Sequence, residues 1–248
     1  MAHPKISVII PVLNEAATIT TLVSQVIQAQ AVEVIIVDGG SVDQTVEVAQ
    51  SLCFEFPDRV QLLSSRCGRA AQMNGGAEMA TGDILLFLHA DTQLPEHFED
   101  WIRQVLQPAH MIAGAFELKI AGSQRALRWI EQGVKWRSHY LQMPYGDQAI
   151  FLRAETFRQV GGFPELPIME DFELVCRLKG MGKIATVPIA VKTSGRRWQQ
   201  LGIGRATLIN QIVILGYLLG VPAQTLANWY RGGCFRSGNP HHRTQQKH

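Results

Sequence analysis

Three short polar clusters each stand directly behind an apolar run: Asn14-Glu15, Asp38-Gly39-Gly40-Ser41 and His89-Ala90-Asp91. Carboxylates, amides and hydroxyls at the ends of buried elements can hold a polar ligand by hydrogen bonds. Taken alone, Asp38 to Asp43 also fits an ordinary turn leading into a helix, with Ser41 or Asp43 as the N-cap. Three such clusters in one arrangement carry more weight than any one of them. Arg69, near the start of a helical stretch, has the planar fork that grips phosphate oxygens. Farther on, Glu170-Asp171 opens another helical stretch. Acids there suit a helix N-terminus.

The elements that must position these groups alternate. Apolar, β-branched runs at Lys5–Pro11, Val32–Val37, Val60–Leu63 and Ile84–Leu88 have strand length, and helical patterns fill Ala16–Gln30, Gln44–Leu52 and Arg69–Ala80. Strands apolar on both faces between helices predict an α/β fold: a mostly parallel central sheet covered by helices on both faces. In such a sheet the binding crevice lies at the carboxyl ends of the strands, where the three clusters fall. Gly114 and Phe116 read as structural.

Composition narrows the function classes. The chain has 248 residues, 46% hydrophobic and 18% charged, which excludes disorder and a disulfide-stapled mini-protein. Cys53, Cys67, Cys176 and Cys234 are far apart and lack zinc spacing, so they read as reduced thiols of a cytoplasmic protein, mostly core filler. No secretory signal is expected, because the first apolar run is short and leads into Asn14-Glu15. The net charge of +2 hides two halves. Residues 1–173 carry all 21 acids, whereas residues 174–248 carry 11 Lys and Arg and no acid. The basic third points to an anionic partner; without a nucleic-acid module, nucleic acid is not expected.

Five segments, in order, resemble glycosyltransferase family 2. They are Ser7–Ala16 (S-V-I-I-P-V-L-N-E-A), Val37–Thr45 (V-D-G-G-S-V-D-Q-T), Arg69–Ala77 (R-A-A-Q-M-N-G-G-A), Gly82–Thr92 (G-D-I-L-L-F-L-H-A-D-T) and Met169–Leu174 (M-E-D-F-E-L). The resemblance implies the GT-A fold, with a nucleotide-binding half near 1–92 and an acceptor half near 93–200. It implies inverting transfer from a nucleotide-diphosphate sugar, UDP- or GDP-linked, to an acceptor hydroxyl or phosphate.

It also implies roles. Pro11, Asn14, Glu15, Asp38, Gly40 and Ser41 would line the nucleotide and sugar pocket. Arg69 would offset the diphosphate, with Gln72 or Asn74 touching the diphosphate or sugar. Asp91 would contact a divalent cation, Mn²⁺ or Mg²⁺, since it matches the last aspartate of the family's D-x-D. His89 replaces the first, and reads as a local hydrogen-bonding group. Asp171 would be the general base, with Glu170 orienting or binding acceptor. Gly146-Asp147-Gln148 and Gly161-Gly162-Phe163 keep the order of the acceptor half. Arg196 and Arg197 lie in S-G-R-R-W, close to the family's Q-x-x-R-W, and would close over the diphosphate.

Two rivals share the scaffold. A sugar nucleotidyltransferase would carry a Gly-rich loop where this chain reads P-V-L-N-E, and a non-catalytic binder would not need Asp38, Asp91 and Asp171 together. Helices are expected over 201–231 and a loose tail over 232–248. The stretch from Ala206 to Tyr230 has no charged side chain, and Asn210, Gln211 and Pro222 interrupt its apolar core. A spanning helix is not expected there. The open readings are packing within the protein or a homodimer, and contact with the inner face of a membrane beside a lipid-linked acceptor.

Overall fold

A computed structural model describes residues 3–235, with side chains to residue 231. The chain divides into two compact units, Met1–Ser194 and Gly195–His248.

In the first unit the parallel half follows the apolar runs. Strands β1 (Ile6–Val12), β2 (Val32–Asp38), β3 (Val60–Ser64) and β4 (Ile84–Phe87) are linked through helices α1 (Ala16–Val26), α2 (Thr45–Glu55) and α3 (Arg69–Met79). Every residue of β2 and β4 is buried, which explains the unbroken hydrophobic runs. The chain continues through β5 (Thr92–Gln93), α4 (Phe98–Leu106), β6 (Met111–Ile120) and α5 (Arg125–Leu141). A 3₁₀ turn (Gly146–Gln148) then precedes β7 (Phe151–Arg153), α6 (Ala154–Val160), α7 (Glu170–Lys179) and β8 (Lys183–Thr193). All eight strands form one sheet in the order β3-β2-β1-β4-β7-β6-β8-β5.

The expected α/β architecture is present, with antiparallel pairs in its second half. β1 pairs in parallel with β2 and β4, β2 with β3, and β6 with β8. β7 runs antiparallel to β4 and β6, and β5 antiparallel to β8. Because β7 opposes β4, the turn before β7 lies at the carboxyl end of β4; the Phe87 amide donates to the Ile150 carbonyl at 2.9 Å. Helices α3 and α7 each feed back from that same edge. The topology therefore gathers the ends of β1, β2 and β4, the starts of α3 and α7, and the 3₁₀ turn.

Two contacts show how closely the layers fit. A Cβ on Gly114 would lie 2.3 Å from the Phe151 ring, so only glycine admits that ring between β6 and β7. Phe116, fully buried, packs on Phe151 with ring centroids 5.5 Å apart. Both residues are structural, as expected. The cysteines are not core filler: Cys67 and Cys176 are exposed and Cys53 is half-buried, all as free thiols. Cys67 lies just ahead of α3, and Cys176 takes an exposed position within α7. The side chain of Cys234 lies outside the described residues.

The second unit holds α8 (Arg196–Leu201), α9 (Ile203–Leu218) and α10 (Ala223–Phe235). Helix α10 runs through Gly232 to Phe235, so the first residues of the expected loose tail are helical, and residues 236–248 lie outside the described residues. Close packing of α9 on α10 is visible at Gly216, where a Cβ would meet the Leu226 side chain at 2.8 Å. Among the described residues no helix is long and apolar enough to cross a membrane.

Candidate active site

The turn after β2 is built by its own aspartate. Asp38 is 4% exposed, and its carboxylate accepts the amides of Gly40 (2.9 Å) and Ser41 (3.2 Å). Gly40 takes φ +94°, where a side chain would be strained. The first loop locks onto this turn: the Asn14 amide donates to Ser41 Oγ (2.9 Å), and Asn14 Oδ1 accepts the Val42 amide (2.9 Å). Asn14 itself sits at φ +57°, which asparagine tolerates better than most residues. Next to it, the Glu15 amide donates to Thr45 Oγ1 (2.8 Å). Thr45 also donates to Asp43, and this hydrogen bond holds the Asp43 carboxyl below its ordinary range. Half-buried Pro11 is the one position of β1 that is not fully buried, one residue before the strand ends. Asp38 thus has the turn-making part that a plain turn requires, yet a carboxylate has about four acceptor sites and can serve a ligand as well.

On the other side of the edge, charged groups converge around the 3₁₀ turn. The Gly146 amide donates to Asp171 Oδ2 at 2.6 Å, and Asp171 Oδ1 accepts the Phe172 amide at 2.8 Å. A Cβ on Gly146 would lie 3.1 Å from Asp171 Oδ2 and 3.2 Å from His89 Nε2, so these two side chains flank the turn. Arg69, at the first residue of α3, reaches Glu170 at 3.6 Å. Adjacent residues of a helix diverge by about 100°, and the two acids divide accordingly. Glu170 is 5% exposed, whereas Asp171 is half-buried and open on one side. Burial raises the Glu170 pKa, opposed by Arg69 and reinforced by Asp171. Burial and the Arg69 charge push His89 down to about 3, so its imidazole stays neutral.

Asp147 is the residue that sequence reasoning missed. Burial, opposed by Arg137 and reinforced by the Asp171 charge, raises its pKa from 3.8 to about 6, and its buried Oδ1 has no hydrogen-bond partner. Arg137, from α5, lies 3.4 Å over the Tyr145 ring and donates to Gln148 Oε1 at 3.1 Å. The sequence offered one signal, an aspartate inside G-D-Q directly ahead of an apolar run, which read only as a landmark.

An acid with a raised folded pKa binds its proton more tightly in the fold than in the unfolded chain. Stability is then fullest below pH 3.8 and falls as pH rises through about 6. Asp147→Asn should therefore raise the melting temperature at pH 8 and change it little at pH 4. Thermal melts at both pH values check this; equal shifts at both would contradict it.

Two residues expected near the ligand, Asn74 and Gln72, make internal hydrogen bonds. Both ends of the Asn74 amide are taken by Phe163, with Nδ2 donating to its carbonyl (2.8 Å) and Oδ1 accepting its amide (2.9 Å). Asn74 thus clamps α3 to the loop before α7. Gln72 donates to the carbonyls of Val12 (2.9 Å) and Val37 (2.8 Å), tying α3 to the ends of β1 and β2. Arg196 and Arg197 begin α8 in the second unit, where the Arg197 guanidinium lies 3.6 Å over the Tyr230 ring.

A divalent cation at the edge would draw on Asp91, half-buried in the loop after β4, whose carbonyl accepts the Ser194 amide at 3.1 Å. A carboxylate is the kind of ligand that Mg²⁺ and Mn²⁺ take. Among the described residues, His97, Glu99 and Asp100 bring their donor atoms within 4.8 Å of one another. They open α4, where a helix N-terminus favours anions over cations, and Asp100 already lies 3.5 Å from Arg103.

The sequence model of Glycosyl transferase family 2 matches residues 7–157. A PGL/p-HBAD biosynthesis glycosyltransferase of Mycobacterium bovis is 36% identical over 99 residues, 39% of this chain and 39% of the relative. Dolichol-phosphate mannosyltransferase of Pyrococcus furiosus is 34% identical over 94 residues, 37% of this chain and 27% of the relative. The chain thus spans well under half the length of these relatives. Among solved structures, a mannosyltransferase from Pyrobaculum calidifontis in complex with GDP-Man and Mn²⁺ superposes with a TM-score of 0.65 at 18% identity, covering 95% of this chain and 70% of that one. Glucosyl-3-phosphoglycerate synthase from Mycobacterium tuberculosis, in complex with Mn²⁺, UDP and phosphoglyceric acid, gives 0.59 at 20% identity, covering 84% and 78%. At those identities the likeness speaks for the fold.

Proposed function

The chain belongs to glycosyl transferase family 2, and from that premise we propose that it transfers a sugar from a nucleoside-diphosphate sugar to an acceptor hydroxyl or phosphate, with inversion. The observation that carries this reading is the meeting of Asp171, His89 and the Gly146 turn at the same sheet edge as the Asp38 turn. A donor's base and ribose would lie along Asn14, Asp38 and Ser41, and its diphosphate near Arg69, whose side chain is 53% exposed. Asp171 accepts the acceptor's proton, the acceptor oxygen bonds to the anomeric carbon, and the bond from that carbon to the diphosphate oxygen breaks. Glu170, buried against Arg69, keeps that arginine in place and leaves Asp171 as the base. The Gly146 and Phe172 amides fix the Asp171 carboxylate for the transfer. Asp91 would hold the divalent cation, which supplies charge stabilisation to the departing diphosphate. His89, neutral and facing Gly146, borders the acids without adding charge.

A lipid-linked acceptor fits the second unit. From residue 195 onward the sequence has seven Lys and Arg and no acid. Helix α9 exposes Leu208, Ile212, Leu215 and Leu218, a face suited to lying in a bilayer surface. Release of nucleoside diphosphate from a panel of UDP- and GDP-sugars, with a lipid extract or soluble polyols as acceptor, tests the proposal. Release that depends on acceptor supports it; a panel with no release from any donor contradicts it.

A further inference from the structure

The 3₁₀ turn that grips Asp171 is itself fastened by one residue, Gln148. Its side chain is fully buried, and a buried amide costs stability unless its donors and acceptor are bonded. Gln148 Oε1 accepts the Ser138 hydroxyl (2.9 Å), the Arg137 guanidinium (3.1 Å) and the Tyr145 amide (3.2 Å). Its Nε2 donates to the Phe116 carbonyl at 2.8 Å. One side chain thereby joins the turn to α5 and to β6. Arg137 adds to the hold, since its Nε donates to the Met143 carbonyl at 2.8 Å and its guanidinium covers the Tyr145 ring.

The turn needs such a hold. Ala149, which closes it, takes φ +50°, a left-handed backbone that alanine keeps only where its surroundings enforce it. What the turn delivers is the Gly146 amide, 2.6 Å from Asp171 Oδ2. The other Asp171 oxygen takes the amide of Phe172, its own neighbour in α7. Among the described residues, Gly146 is thus the donor that reaches this carboxylate from outside α7. The turn also packs on α7 directly, with the Tyr145 and Phe172 ring centroids 6.1 Å apart. A base works only when it is held close to its productive geometry, so whatever fixes this turn bears on the proton transfer.

We propose that Gln148 is a positioning residue for Asp171: by fixing the turn to α5 and β6, it keeps the Gly146 amide on the carboxylate that receives the acceptor's proton. This rests on the reading of Asp171 as the base, so the test has one arm that needs no turnover. Tyr145-Gly146 is the only Tyr-Gly pair in the chain. Labelling tyrosine carbonyls with ¹³C and glycine nitrogens with ¹⁵N therefore isolates the Gly146 amide in the NMR spectrum of the full chain. A short bond to a carboxylate moves an amide proton downfield, and Asp171→Ala marks its position once that bond is gone. Gln148→Met keeps the length of the side chain and removes all four of its hydrogen bonds. It should bring the Gly146 resonance most of the way to the Asp171→Ala position. Ser138→Ala, which takes away one donor, should move it part of the way, and decides the matter if Gln148→Met does not fold. In the second arm, turnover in Gln148→Met should fall about a hundredfold, the scale of a misplacement by about 1 Å, with donor affinity within a few-fold of native. In an Asp171→Asn background the same substitution should cost little more, because both act on one group. A Gly146 resonance that stays at its native position in the folded variant overturns the proposal. So does a loss of turnover as large in the Asp171→Asn background as in the native one. A native chain that releases no nucleotide from any donor removes the transfer reading instead, and the amide arm then decides alone whether Gln148 holds Asp171.

Discussion

Asp171→Asn is expected to lower turnover by about 10²–10⁴-fold, the usual contribution of a positioned base, while donor affinity stays nearly native. The asparagine keeps an oxygen for the Gly146 amide, which Asp171 holds at 2.6 Å, so the turn should remain in place. What it loses is the capacity to take a proton. Glu170→Gln should act differently, because Glu170 is 5% exposed and 3.6 Å from Arg69. Freed from its acid, Arg69 would shift, and the main effect should fall on donor affinity. Steady-state rates and donor titrations on both variants separate the roles. Turnover within a few-fold of native in Asp171→Asn would transfer the base to another group, with Asp147 first in line, since its acid is already poised at about 6.

Asp91→Ala should abolish any Mn²⁺ enhancement of UDP or GDP affinity and cut turnover roughly a hundredfold or more, since a cation supplies several kcal/mol to a departing diphosphate. Asp38→Ala should weaken nucleotide binding with or without metal. Its carboxylate organises Gly40 and Ser41, and through Ser41 the Asn14 loop, so its loss loosens the whole nucleotide-side turn. The two variants thus dissociate metal dependence from nucleotide dependence. Mn²⁺ enhancement that survives in Asp91→Ala would move the cation site, and His97, Glu99 and Asp100 would then be the next group to substitute.

The parallel half was legible because its strands are buried on both faces, so β1 and β2 read as unbroken apolar runs ending in polar clusters. Helix α1 ends at Val26 rather than Gln30, and the chain turns back through Ala31 at φ +53° to enter β2. The second half was harder. β7 begins only at Phe151, two residues into the apolar run from Ala149, because Ala149 takes φ +50° to close the 3₁₀ turn. β8 buries Ile184, Val187, Val191 and Thr193 at unequal spacings, and its pairing with β6 is interrupted by irregularities, so no simple period marks it. At the site, residue type identified the acids of α7 but could not tell a ligand contact from a tertiary clamp. Asn74 looked available because its partner, Phe163, is 89 residues away. Asp147 was passed over for the converse reason: its importance lies in burial and in neighbours from α5 and α7, none of which its local sequence displays.

The central claim, that this edge binds a nucleoside diphosphate for sugar transfer, is tested most directly by calorimetric titration of the full chain with UDP and with GDP, with and without Mn²⁺. The account predicts saturable binding of at least one of the two, strengthened by Mn²⁺ in the native chain and not in Asp91→Ala. Heats indistinguishable from dilution for both nucleotides, with Mn²⁺ present, would contradict it.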